Sequence, residues 1–426
     1  MARALGAATD SSAGRPRWTG LARLGGGLAW SLTLIGILVL MVGLNANGMI
    51  DLQVYRTGGL AWVEGLPLYA KDFPGDLPGP RLPFTYPPIA AVLFGSLALM
   101  PLWLAKALVT TGSFLALTGT LLAATARLAR PAEPVLVLGA LAAVVAMLLE
   151  PVRSTLDFGQ INMLLMVLVA ADCLAVRNRW LRGTLVGLAA AIKLTPAVFI
   201  LYFLVRRDWR AAVNTLASFV LFGLLGLVLA PKDTMNYWFD ALLDPGRVGG
   251  LAYASNQSLR GVLHRINPPA MVESGLWALL SVAVVGIAVL AAHRAVKAGN
   301  DAAALVAIAV AGLLVSPVSW SHHWVWAAPA LLVLAWALWR ARAWKFAPLW
   351  GLALLVYTLG PFAWLPQEKD REMQWNLWQH LLGDSYVLLG LGLLIALAFF
   401  WRHDTKPEPA PAPSGESVTV APTGSL

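Results

Sequence analysis

Long apolar runs broken by short polar stretches dominate the chain. Ten of them approach the roughly 20 apolar residues of a membrane-spanning helix: 28–44, 102–126, 134–150, 160–176, 211–230, 276–293, 303–316, 324–339, 346–364 and 385–401. The stretch 183–205 is equally apolar but has Lys193 and Pro196 near its middle. Arg177, Arg179 and Arg182 precede it, and Arg206, Arg207 and Arg210 follow it. Ends of like charge belong on one membrane face. The pattern therefore predicts two short helices forming a hairpin that starts and finishes on the same side. Pro87 and Pro88 open a further apolar stretch, 88–100, which suits an amphipathic segment lying in the outer interface. The expectation is an all-α, polytopic integral membrane protein with about twelve transmembrane or membrane-embedded helices.

Composition removes the soluble alternative. Only 12% of the 426 residues are charged and the mean hydropathy is +0.69, whereas soluble domains carry about 25% charged residues. Basic residues set the orientation. Nineteen of the 31 Lys and Arg fall in segments assigned to the cytoplasm. The opposite loops, 45–87, 150–159, 231–275 and 365–384, hold ten, together with most of the acids. This bias places both termini inside and the long loops outside. The net charge of +9 thus reads as topology, with no nucleic-acid surface. Residues 1–27 read as a cytoplasmic segment, with no cleavage site after them. The Pro-, Ser- and Ala-rich tail 405–426 reads as disordered and cytoplasmic. The unit between them, 28–404, carries outer loops near 45–87, 150–159, 231–275, 316–323 and 365–384. Cys173 stands alone, so no intramolecular disulfide forms.

Candidate chemistry lies in those outer loops. Asp51, in NGMIDLQVYRTGG, follows the first run closely enough to meet a substrate at the interface; alone it reads equally as a solvated loop carboxylate. SPVSWSHHWVWAAP (316–329) sets His322 and His323 beside Trp320 and Trp324, either a sugar-stacking surface or an interfacial aromatic belt. FGQIN (158–162) offers Gln160 and Asn162 to hydroxyl groups, or simply a polar turn capping the next helix. Lys193, in AIKLTP (191–196), is costly within a membrane and reads as functional, unless it snorkels to the inner interface. Loop 231–275 adds Arg247, Asn256, Gln257, Ser258, Arg260, His264 and Arg265, whose cations suit a phosphate-bearing partner. Adjacent histidines without further spaced ligands do not make a zinc site, and no nucleotide-binding motif is present.

The succession DLQVYRTGG, GLPLYAKDF, LPFTYPP, FGQIN, AAIKLTP, NQSL and SPVSWSHHWVW resembles glycosyltransferase family 87. The likeness covers about residues 45–340. Individual motifs are weak; their shared order is specific. The resemblance implies the GT-C membrane fold and, within the family, the mannosyltransferases of phosphatidylinositol mannoside synthesis. It implies transfer from polyprenyl-phosphate-mannose, in α-1,2 linkage, to a phosphatidylinositol mannoside at the periplasmic face of the inner membrane, at a tetramannoside-to-pentamannoside type of step. It also implies Asp51 as general base. His322, His323, Lys193, Arg247 and Arg260 are then expected at the donor phosphate. Tyr55, Tyr86, Gln160, Asn162, Gln257, Trp320 and Trp324 are expected at the sugars. No metal or cofactor is expected, because Arg247, Arg260, His322 and Lys193 are candidates to steady the phosphate charge. Sister enzymes acting on lipomannan, lipoarabinomannan or arabinofuranose donors share these expectations. A lipid or sugar transporter is the rival of a different class, disfavoured by the absence of an internal repeat.

Overall fold

The computed structural model describes residues 48–129, 133–367 and 369–400. The predicted span 28–44 and the terminal segments 1–27 and 405–426 lie outside the described residues. The described chain is helical throughout. It holds no strand, only an isolated antiparallel bridge between Asn256 and Trp320.

The first half contains α1 (Ile50–Val63), α2 (Pro88–Ala98), α3 (Leu102–Leu128), α4 (Val135–Ala146), α5 (Glu150–Phe158), α6 (Asn162–Ala170), α7 (Thr184–Ile192), α8 (Ile200–Val205) and α9 (Trp209–Leu229). The second contains α10 (Pro231–Phe239), α11 (Leu259–Ile266), α12 (Ala270–Lys297), α13 (Asp301–Val315), α14 (Ala327–Arg340), α15 (Ala347–Leu359), α16 (Leu377–Gly383) and α17 (Ser385–Ile395). Three of these, α3, α9 and α12, are long and apolar enough to cross a membrane alone. Two bent pairs raise that to five: α4 with α5, at 74°, and α16 with the helix that starts at Ser385, at 69°. The predicted run 134–150 is therefore not one straight span. It breaks after Ala146, and Glu150–Pro151 opens a new helix in another direction, with proline in its first turn where its missing N–H costs nothing. The core is centred on α13, whose residues Ala302–Ala311 are all buried; small side chains there let its neighbours approach closely.

The stretch 183–205 is the hairpin its flanking arginines predict. Gly183 and Gly187 bring α7 against the backbone of α9 at Ala211 and Thr215. Thr215 donates to the Gly183 carbonyl at 3.1 Å, and Ser218 donates to Thr184 at 2.8 Å. The chain then returns through α8 to Asp208, which caps α9 and pairs with Arg182 at 3.4 Å. Both ends of the hairpin thus sit beside the start of α9. The buried Asp172 fixes the foot by accepting from Gly183 N (2.6 Å) and Val186 N (2.9 Å). Lys193, in extended conformation, ends α7 at the apex. Nine helical residues at about 1.5 Å each lift it roughly 13 Å above that foot.

The stretch 88–100 corrects its expectation. Its helix α2 is apolar except for Ser96 and packs on α1, burying Ile89, Ala90, Ala91, Phe94 and Gly95. A Cβ on Gly59 would lie 2.5 Å from the Phe94 carbonyl group, so Gly59 is what lets the two helices meet, while Gly58 makes room for the Phe84 ring. A surface-lying amphipathic helix needs a polar face, and this one offers only Ser96.

Candidate active site

Asp51 lies in the first turn of α1, where the helix N-terminus favours negative charge. Gln160 is brought to it by FGQIN. The sequence ends α5 with Gly159 in the left-handed region (φ +69°). Gly159 N donates to Leu156 O (3.0 Å) and Gln160 N to Thr155 O (2.9 Å), the double closure of a Schellman cap. A Cβ at residue 159 would meet Leu52 Cβ at 2.8 Å. Glycine is therefore required both for the turn and for the approach to α1. Gln160 and Lys193 both come near enough to Asp51 to act on its carboxyl. Burial holds the Asp51 carboxyl above its ordinary value, partly offset by Gln160 and by the charge of Lys193.

Lys193 completes the opposite wall. Its Nζ donates to Asn162 Oδ1 at 3.1 Å and stands 3.2 Å from His323 Nε2. It also lies 5.4 Å from the centre of the Tyr86 ring. Lys193 is thus held in the site and does not snorkel inward. An ammonium only donates, so His323 Nε2 accepts and its proton sits on Nδ1. Asn162 Nδ2 donates to the His322 carbonyl (2.9 Å), as does Thr155 Oγ1 (2.8 Å), which fixes the SWSHHW turn against α5 and α6. Burial, then Lys193, push His322 down to about 3. The same causes, with His322 added, push His323 well below its ordinary value. Both rings are neutral at physiological pH, so His322 can serve a phosphate only as an N–H donor. Its Nε2 is buried without a partner among the described residues. A cavity of about 60 Å³ opens beside Asn162, Lys193 and His323 and continues between apolar side chains including Leu165, Met166, Phe199 and Trp326.

The other expected residues stand elsewhere or act otherwise. Tyr55 and Tyr86 are 1% and 7% exposed and bond to each other and to Gln160, so neither presents a stacking face to a sugar. Gln257 is fully buried. Its amide donates to Ala254 O and Gly383 O and accepts from Tyr386 N, which makes it a splint between the 251–257 segment and the junction of α16 and α17. Trp324 is buried and donates to Gln257 O. Trp320 is half-buried against Tyr253. Arg260 is committed to Glu273 and to the face of Trp277. Arg247 donates to Tyr69 O at 3.1 Å, one residue removed from Tyr86, whose carbonyl accepts from the Tyr69 hydroxyl at 2.5 Å. Arg265, a candidate phosphate cation in the sequence, is instead committed to structure, joining the 251–257 segment to the start of α17. It is buried against Asp384 at 2.6 Å and donates to the carbonyls of Tyr253 and Asn256. Among the described residues no three His, Cys, Asp or Glu side chains gather as metal ligands.

The profile of glycosyltransferase family 87 matches residues 84–317. One relative, from Mycobacterium tuberculosis (strain ATCC 25618 / H37Rv), is 38% identical over 95% of this chain and 97% of its own. The chain belongs to glycosyltransferase family 87. That relative is a polyprenol-phosphate-mannose-dependent alpha-(1-2)-phosphatidylinositol mannoside mannosyltransferase, and its namesake in Mycolicibacterium smegmatis is 40% identical over 90% of this chain and 91% of its own. A polyprenol-phosphate-mannose-dependent alpha-(1-2)-phosphatidylinositol pentamannoside mannosyltransferase from Mycobacterium tuberculosis (strain CDC 1551 / Oshkosh) is 35% identical over 83% of this chain and 80% of its own. No solved structure matches. The family match spans Gln160, Asn162 and Lys193, while Asp51 lies before it and His322 and His323 just beyond it.

Proposed function

We propose that this family 87 chain transfers mannose from polyprenyl-phosphate-mannose to a mannosylated phosphatidylinositol in α-1,2 linkage. The observation that carries this reading is that Asp51 and Lys193 come near enough for the lysine's charge to act on the carboxyl, in a chain so similar to enzymes of that name. The stronger likeness to the mannoside enzymes than to the pentamannoside enzyme favours a tetramannoside-to-pentamannoside type of step.

The chemistry follows from a β-linked donor and an α-linked product, which require one displacement with inversion. The acceptor 2-hydroxyl oxygen attacks the anomeric carbon, and its proton passes to the Asp51 carboxylate. The bond from that carbon to the phosphate oxygen breaks, and its electron pair leaves on polyprenyl phosphate. Lys193 steadies the charge that develops there, with Asn162 and His323 holding its ammonium. The step as written uses no cofactor or metal, since the leaving group is already a stable anion. A second carboxylic acid of the glycosidase kind is likewise dispensable.

The same reading assigns the fold to the GT-C type with about twelve membrane-embedded segments, residues 28–404 forming the catalytic unit. It places the chain in the inner membrane with both termini cytoplasmic and Asp51 facing the periplasm. Purified protein in detergent, supplied with polyprenyl-phosphate-mannose and a phosphatidylinositol mannoside, should form a mannosylated product. Transfer from decaprenyl-phosphate-arabinose instead would move the assignment to a sister activity. Lipid translocation without transfer would overturn it.

A further inference from the structure

We propose that the foot of the 183–205 hairpin is a second lipid site, where Arg179 and Arg210 hold the phosphate of an anionic membrane phospholipid. The inference rests on the chain lying in a membrane and is independent of the reaction proposed above. It gives a ligand to cations that the catalytic reading leaves unused.

The segment before the hairpin is a built loop. Asn178 Oδ1 accepts from Trp180 N at 2.9 Å, the closure of an Asx turn. Asn214 of α9 donates to the carbonyls of Trp180 (3.1 Å) and Arg182 (2.9 Å). Arg182 in turn donates to Cys173 O at 3.1 Å. The Trp180 side chain is left 64% exposed, and two guanidinium groups stand over its ring. Arg210 lies 4.1 Å and Arg179 5.4 Å from the ring centre, the geometry of cation–π contacts. Arg179 comes before the hairpin and Arg210 after it, so one indole gathers cations from both of its ends.

Charge and apolar surface together select the ligand. Arg177, Arg179, Arg207 and Arg210 are exposed, and none forms an ion pair among the described residues. The two acids of residues 171–210 are committed elsewhere. Asp172 accepts from Gly183 and Val186, and Asp208 accepts from Ala211 and pairs with Arg182. The planar guanidinium fork matches phosphate oxygens. The chain neighbours Leu181 and Trp209 are exposed as well. Trp209 opens α9, one of the helices long and apolar enough to cross a membrane, and tryptophan there marks the level of the headgroups. A soluble phosphate would use the cations and leave Trp180, Leu181 and Trp209 in water; a phospholipid engages both. A headgroup tying Arg179 to Arg210 also holds together the two limbs of the hairpin that carries Lys193.

The test titrates the full-length chain in detergent with phosphatidylglycerol, phosphatidylcholine or inorganic phosphate. Bound lipid is counted by native mass spectrometry, with thermal unfolding followed in parallel. Phosphatidylglycerol should bind in preference to phosphatidylcholine and raise the unfolding midpoint, and inorganic phosphate at equal concentration should not displace it. Each arginine at an anionic lipid surface contributes a factor of about five, so Arg179→Gln with Arg210→Gln should weaken binding about 25-fold. Arg342→Gln with Lys345→Gln removes the same charge from another exposed loop and should leave binding unchanged. Arg210→Gln alone, expected to lose about fivefold, serves if the double variant unfolds in phosphatidylcholine. Equal binding of the two lipids, displacement by inorganic phosphate, or equal losses in the two double variants would overturn the proposal. None of these readouts involves mannosyl transfer, so a failure here leaves the proposed reaction standing.

Discussion

Replacing Lys193 by methionine removes the cation at the hairpin apex while keeping an unbranched chain over the Tyr86 ring. In the native site Nζ is 3.1 Å from Asn162 Oδ1 and 3.2 Å from His323 Nε2, so its position is set before substrate arrives. A unit charge about 4 Å from the leaving phosphate, at an effective dielectric of about 20, interacts by about 4 kcal/mol, which is a ceiling. Removing one preorganised stabiliser of developing charge typically costs about 2.7–4 kcal/mol, or a factor of about 10²–10³ in kcat. A second effect falls on stability. Asn162 Nδ2 remains fixed on the His322 carbonyl, so Oδ1 stays aimed at the vacated place and loses its donor, at about 1–3 kcal/mol. The assay is transfer of labelled mannose at saturating acceptor, giving kcat and donor KM, with thermal unfolding in the same detergent. Lys193→Met should lose at least about a hundredfold in kcat, with a lower unfolding midpoint. A variant that unfolds earlier yet keeps kcat within about threefold would refute the electrostatic role and leave Lys193 a structural residue.

Two further outcomes follow from the same geometry. Arg265→Met strands the buried Asp384 carboxylate, with only His380 left beside it at 2.9 Å; breaking such a pair costs about 3–5 kcal/mol, read as a fall in the unfolding midpoint and faster proteolysis of the outer loops. An unchanged midpoint would show that this clasp does not hold them. The pH profile should carry its acid limb from Asp51: the base works ionised, burial raises its pKa, and activity is lost as pH falls through that raised value. His322, held near 3, stays neutral across the working range, so His322→Gln should lower the rate without moving the limb, and a shifted limb would contradict this.

The membrane character and the hairpin were legible because charge and hydropathy are local properties. The arginines on both sides of 183–205 predicted a return that the Arg182–Asp208 pair closes. Asp51, Gln160, Asn162, Lys193 and the two histidines were legible as short polar islands, and the fold gathers them from four separate regions. Their partners were not. Whether a tyrosine faces a sugar or a glutamine depends on packing across more than a hundred residues, as with Tyr55 and Gln160. Gln257 and Trp324 looked functional for a similar reason: a buried polar splint and a binding residue have the same composition. Arg265 reads from the sequence as a loop cation for a phosphate, because the carboxylate that claims it, Asp384, lies 119 positions away. The break after Ala146 was hidden because an apolar run records length and not direction.

The central claim, a mannosyl transfer for which Asp51 is the base, is tested most directly by Asp51→Asn. Asparagine preserves size and can still meet Gln160, but it cannot accept the acceptor's proton. Loss of a positioned general base costs about 10²–10⁴ in rate. With polyprenyl-phosphate-mannose and a phosphatidylinositol mannoside as substrates, the variant should bind both yet form product at least about a hundredfold more slowly. Undiminished mannosyl transfer by a correctly folded Asp51→Asn enzyme would contradict the account.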